Sequence, residues 1–173
     1  MLNHPRLNYG LAAFACAVIL AFAFYLQIVK ELEPCPLCWF QRLAVLGLFF
    51  VFLAATFVTR TPKGGTITLL LVVLVALGGL AVAGRHIWIQ NLAADQVPAC
   101  GQGISYMLES MPFFDVLTKT LKGSGECAKR DTWFGLTLPT WTVIFFLGCV
   151  AWAWITAARM KVFCFWRSIS RCL

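Results

Sequence analysis

The chain has 173 residues, 61% of them hydrophobic and only 12% charged, and it carries a formal net charge of +7. So little charge excludes an ordinary soluble domain of this size. The positive balance follows the loops of a membrane protein and is poor evidence for nucleic-acid binding, so no nucleic-acid partner is expected.

In chain order, four stretches carry no charged side chain: Leu7 to Val29, Leu43 to Thr59, Gly64 to Gly84 and Thr132 to Ala158. A helix needs about 20 apolar residues to cross a hydrocarbon core of roughly 30 Å. The second run is short, but Trp39 and Phe40 extend it and Arg42 can snorkel from its end. The fold class predicted is an all-α membrane protein, a four-transmembrane-helix bundle with helices at about 9–29, 39–59, 65–86 and 137–158. A cleaved signal peptide ending at Ala21-Phe22-Ala23 is a rival for the first run, but the apolar stretch continues past that site.

The outer loop at about 30–38 is held extended by Glu33-Pro34 and Pro36 and ends in the motif Cys35-Pro-Leu-Cys38. The inner turn, Arg60-Thr-Pro-Lys-Gly-Gly, is a compact breaker. The outer loop at about 88–134 has room for further structure. There Ile104, Met107, Leu108, Met111, Phe114 and Leu117 approximate helical spacing. That spacing suggests a short interfacial helix, and a loop folded back over the helix ends is the alternative.

Charge orients the bundle. One face carries Arg6, Arg60, Lys63, Arg159, Lys161, Arg167 and Arg171 without an acid, whereas all seven Asp and Glu lie on the other. Basic residues in short loops favour the cytoplasm. Both termini are therefore expected inside, and the two longer loops on the outer face.

Two cysteine pairs fall on that outer face. Cys38 falls at or just before the start of the second helix, where unpaired N–H groups and the helix dipole favour a thiolate. Arg42, four residues on, projects from the same face and could favour that thiolate or hold an oxygen atom beside it. Cys100 and Cys127 share the long loop. On an oxidising face they suit either a structural disulfide or an exchangeable one. Zinc held by Cys35, Cys38, Cys100 and Cys127 is the competing use, but the second pair lacks short metal-binding spacing, so no metal is expected. Cys16 and Cys149 lie within helices and suit small core residues. Cys164 and Cys172 lie on the reducing side and receive no role. At the outer end of the third helix, His86 and Gln90 share a face beside Arg85 and Trp88. For His86 a ligand contact, a proton relay and an interface role all remain open.

Taken together, Cys35-Pro-Leu-Cys-Trp-Phe-Gln-Arg42, Arg85-His86, Cys100, Glu126-Cys127 and Trp133-Phe-Gly-Leu-Thr-Leu-Pro139-Thr-Trp141 resemble the disulfide-bond formation protein B (DsbB) family. These are bacterial inner-membrane thiol oxidases, and the likeness runs through nearly the whole chain. The segment between Cys100 and Cys127 is locally divergent.

The resemblance implies an enzyme that reoxidises a periplasmic thioredoxin-like protein of the DsbA type. Electrons would pass from a Cys100–Cys127 disulfide to a Cys35–Cys38 disulfide and on to ubiquinone or menaquinone in the bilayer. It further implies that Cys38, Arg42, His86 and Gln90 face the quinone. A DsbA-type partner is itself a strong oxidant, at about −120 mV, so the final acceptor must be more oxidising than a usual protein disulfide. Proteins of the vitamin K epoxide reductase type are the neighbouring alternative, although their C-x-x-C lies in the last core helix. A non-enzymatic metal-binding membrane protein is the third.

Overall fold

The computed structural model describes residues 5–29, 34–59, 61–92, 112, 115, 118, 125–130, 132–133 and 135–169. Four long helices dominate: α1 (Pro5–Val29), α2 (Pro36–Val58), α3 (Pro62–Gln90) and α4 (Leu138–Ile169). Each contains a segment long and apolar enough to cross a membrane; in α4 this is Leu138–Met160. Helices are the expected solution because a chain inside hydrocarbon must satisfy its backbone groups internally. Large apolar side chains point outward along all four, among them Phe14, Ile28, Phe57, Leu74 and Trp154, as lipid-facing surfaces require.

Proline lies at the first or second described position of each of the four long helices. Pro5 opens α1, Pro36 and Pro62 occupy the first positions of α2 and α3, and Pro139 follows Leu138 in α4. Its fixed φ suits the first turn, and its missing N–H is one the helix would leave unpaired anyway. Thr61 caps α3 by accepting from the Gly64 N–H at 3.2 Å. Because α2 begins at Pro36 and α3 runs on to Gln90, both helices extend beyond their charge-free runs at the end they share. Cys35 and Cys38 consequently belong to the first turn of a helix, not to the end of a loop.

The helices pack in sequence, α1 on α2, α2 on α3 and α3 on α4, with a lighter contact between α1 and α4. There the Trp152 indole Nε1–H donates to the Asn8 carbonyl at 2.9 Å. Mid-bundle the core is Tyr9, Ala13, Cys16, Val45, Leu48, Phe52, Val72, Ala76, Phe146, Cys149 and Ala153. Lipid tails are as apolar as these side chains, so close packing must hold the helices together, and small residues permit it. Gly79 is the sharpest instance: a Cβ there would overlap the Phe146 ring, so the missing side chain lets α4 seat its phenyl against the α3 backbone.

A short 3-10 turn, Gly125–Ala128, and a two-stranded antiparallel ribbon lead into α4. In the ribbon β1 (Thr132–Trp133) pairs with β2 (Leu136–Thr137), Thr132 opposite Thr137 and Trp133 opposite Leu136. Gly135 supplies the positive φ, 81°, that the tight reversal needs. The interfacial helix expected over 104–117 falls on residues outside those described, apart from Pro112 and Asp115. Cys100 and Cys172 also lie outside them.

Candidate thiol site at one end of the bundle

Cys35 is the N-cap of α2, in extended backbone with φ −61° and ψ 160°. Its carbonyl accepts the Cys38 N–H at 3.0 Å, which closes the first turn and puts both sulfurs on one side of it. The two Sγ atoms are 3.1 Å apart, in thiol contact. Their exposure differs. Cys35 is 6% exposed and packs with Leu37, Ile89 and Cys127, whereas Cys38 is only half-buried.

The His86 ring from α3 stands over both sulfurs. Nε2 lies 3.8 Å from Cys35 Sγ, and Nδ1 lies 3.9 Å from Cys38 Sγ. One imidazole can thus serve either sulfur as hydrogen-bond donor or proton acceptor, according to which nitrogen carries hydrogen. His86 is itself positioned. Gln41 Nε2 approaches Nδ1 at 3.4 Å, and the Thr142 hydroxyl of α4 donates to Gln41 Oε1 at 3.1 Å. That chain joins α2, α3 and α4 through side chains that apolar surroundings make costly to leave unpaired.

Cys127, carried by the 3-10 turn, is fully buried in the same cluster. Its sulfur, Cys35 Sγ and a ring nitrogen of His86 all lie within 4.8 Å of one another. Cys35 and Cys127, 92 positions apart in the chain, are thereby brought together at one end of the bundle. What holds the turn there is a set of bonds to the end of α3. The Arg130 guanidinium donates to the Gln90 carbonyl, from Nε at 2.9 Å and Nη2 at 2.7 Å, and also to Asn91 Oδ1 at 3.0 Å. Gln90 Nε2 donates in return to the Lys129 carbonyl at 3.1 Å. A cation on the last carbonyls of a helix also meets the negative end of its dipole.

Arg42 faces α1. Its guanidinium donates to Gln27 Oε1 and, at 3.0 Å, to the Ala23 carbonyl. It also lies 5.4 Å from the Phe24 ring centre and 5.8 Å from that of Trp39, within cation–π reach. The guanidinium and Cys38 are both half-buried and lie one helical turn apart, and a cation with aromatic rings beside an open sulfur is a donor set that a ligand with carbonyl oxygens could use.

The residues singled out in the sequence therefore separate into groups. Cys35, Cys38, His86 and Cys127 come together. Arg42 is pinned on the adjoining α1 side, and the Gln90 amide binds the loop carrying Cys127. Gln41, Thr142, Gln27 and Arg130 belong to the site and were not singled out. Gln41 and Gln27 did leave a signal, as uncharged polar residues within apolar helices. Arg130 left none, because a loop arginine is ordinarily solvated.

The profile of the family described as "Disulfide bond formation protein DsbB" matches residues 5–156. Among similar curated proteins, one from Hahella chejuensis is 48% identical over 158 residues, covering 89% of this chain and 96% of its own. Another from Marinobacter nauticus is 49% identical over 142 residues, 82% of this chain and 84% of its own. A third from Methylococcus capsulatus is 45% identical over 162 residues, 91% of this chain and 99% of its own. Each is named "Disulfide bond formation protein B".

Proposed function

The chain belongs to the family of disulfide bond formation protein DsbB, and from that premise we propose that it is a quinone-dependent oxidase of a periplasmic DsbA-type dithiol. Disulfide bond formation by a multi-pass membrane protein is the shared ground; the donor, the relay and the acceptor are the proposal. The observation that carries it is the convergence of Cys127 and Cys35 sulfurs with a His86 nitrogen inside 4.8 Å.

The sequence of exchanges balances as follows. A thiolate of the reduced partner attacks Cys100 in a Cys100–Cys127 disulfide, forming a mixed disulfide and releasing Cys127 as a thiolate. Cys127 attacks Cys35, the Cys35–Cys38 bond breaks, and Cys38 leaves with the electron pair. The partner's second thiolate then displaces Cys100, and the partner departs oxidised. Cys100 attacks Cys127, restoring the first disulfide and leaving Cys35 and Cys38 reduced. A membrane quinone, when bound, supplies a two-electron, two-proton acceptor that resets this last pair.

The chain's own residues fit these roles. Cys35 is buried and reached by Cys127, whereas Cys38 is the more open sulfur and has Arg42 one turn deeper. The positive end of α2 stabilises the departing Cys38 thiolate. His86 borders both sulfurs and is suited to hold or pass the protons that accompany the electrons. The acid-free basic loops favour an inner-membrane orientation with both termini cytoplasmic, which puts the thiols on the periplasmic face.

The test is oxidation of a reduced thioredoxin-like protein by detergent-purified protein and added ubiquinone, followed by quinone absorbance. Turnover is expected to require Cys35 and Cys38 even with small dithiols as donors. Cys100→Ala is expected to abolish turnover with the protein donor, and full activity in that variant refutes the two-disulfide relay. Arg42→Ala is expected to raise the quinone KM more than it lowers kcat.

A further inference from the structure

We propose that the fully reduced protein binds one zinc ion through Cys35 Sγ, Cys127 Sγ and a ring nitrogen of His86. This inference goes beyond the relay, and it needs no donor protein and no quinone.

Geometry is the first argument. Zinc takes thiolate sulfur at about 2.3 Å and imidazole nitrogen at about 2.0–2.1 Å, so tetrahedral ligands stand roughly 3.5–3.8 Å from one another. Cys35 Sγ and His86 Nε2 are already 3.8 Å apart, and all three donor atoms fall within 4.8 Å. Rotamer-scale movement closes that on an ion. Cys38 does not belong to the set as placed, because its sulfur is 3.1 Å from that of Cys35, closer than two ligands of one zinc stand. The fourth position is left open for water.

Charge balance is the second. All three residues are buried, with Cys127 fully so, and an uncompensated divalent ion would be expensive there. When Cys35 and Cys127 each release a proton, two thiolates and a neutral imidazole leave the zinc group with no net charge. No carboxylate is required, and none faces the group among the described residues.

The third argument is the support behind His86. If Nε2 binds the metal, Nδ1 must carry the proton and give it to an acceptor. Gln41 lies 3.4 Å away, and a half-turn of its amide presents Oε1 to that proton. The Gln41 NH2 then donates to the Thr142 hydroxyl, whose single hydrogen turns from Gln41 to the Pro139 carbonyl, 2.8 Å away. Every polar atom of the network stays paired. Cys16 and Cys149, buried mid-bundle, have no comparable third donor among the described residues.

The experiment reduces the full-length protein in detergent with a phosphine, removes excess reductant and dialyses it against zinc. Uptake is counted by metal analysis, and titration with cadmium follows the ultraviolet thiolate-to-cadmium band. One ion per reduced chain is expected, with none in the oxidised chain. Cys35→Ser and Cys127→Ser are expected to lose it, and His86→Ala to weaken it at least about tenfold. The double variant Cys16→Ser with Cys149→Ser is expected to retain it. Absence of uptake by the reduced protein overturns the site, as does uptake that survives Cys35→Ser and Cys127→Ser. If a serine variant does not fold, the oxidised wild-type chain serves as control, and equal uptake in both redox states overturns the site equally. Because no turnover is measured, a relay that fails leaves this result readable, and an absent metal leaves the relay untouched.

Discussion

Among the described residues, two places in the bundle bury cysteines, and they surround them differently. In mid-bundle, Cys16 of α1 and Cys149 of α4 sit among Tyr9, Val45, Leu48, Phe52 and Phe146. At the end where α2 starts, Cys35, Cys38 and Cys127 sit with His86, Gln41 and the first turn of α2. Burial alone therefore does not make a thiol either inert or reactive. A sulfur acquires chemistry from a helix N-terminus that stabilises its anion, a ring that can move its proton, and a second sulfur within reach. The mid-bundle thiols do hydrogen-bond each other, but neither has a helix N-terminus or an imidazole beside it among the described residues.

The largest effect expected from breaking this contrast is in catalysis. Cys35→Ser or Cys127→Ser should lower turnover with a protein donor roughly a thousandfold or more, to background, because each removes a bond-forming atom. Replacing Cys16 and Cys149 together should leave turnover largely intact while shifting thermal unfolding, measured on the same preparations. Loss of turnover in that double variant would erase the distinction between the two regions.

Next in size is a substitution confined to the mid-bundle. Gly79→Leu pushes a side chain into the space of the Phe146 ring and should destabilise the bundle by about 1–3 kcal/mol, read from loss of helicity on heating in detergent. At the thiol end, Arg130→Ala removes the bonds to the Gln90 carbonyl and Asn91. A charged hydrogen bond contributes about 1.5–3 kcal/mol. The proposed Cys127-to-Cys35 exchange, followed by rapid quench and thiol trapping, should slow about tenfold with global unfolding little changed. An unaltered rate would mean that the turn holds its place without that arginine. The smallest effect is expected from Gln41→Leu, which frees the His86 ring at the cost of about one hydrogen bond and should reduce turnover roughly fivefold.

Much of this was legible in the sequence. Hydropathy defines four spans because a bilayer admits so few alternatives. The Cys35-Pro-Leu-Cys38 spacing together with Pro36 marks a thiol pair near a helix start. What stayed hidden is pairing at long separation. Thr142 reaches Gln41 across 101 positions, and Arg130 reaches Gln90 across 40. No local period encodes either contact. Arg42 teaches the complementary lesson. Its spacing from Cys38 predicts a shared face, but the guanidinium is long enough to find Gln27 and the Ala23 carbonyl on α1.

The way Arg130 holds α3 has an evolutionary consequence. Its strongest contacts are to the carbonyl of residue 90, an atom every amino acid owns. Mutational drift at that position can erase the amide grip on Lys129 while sparing the guanidinium clasp. Selection should accordingly weigh more heavily on the arginine than on the residue it grips, an asymmetry that comparing lineages would expose.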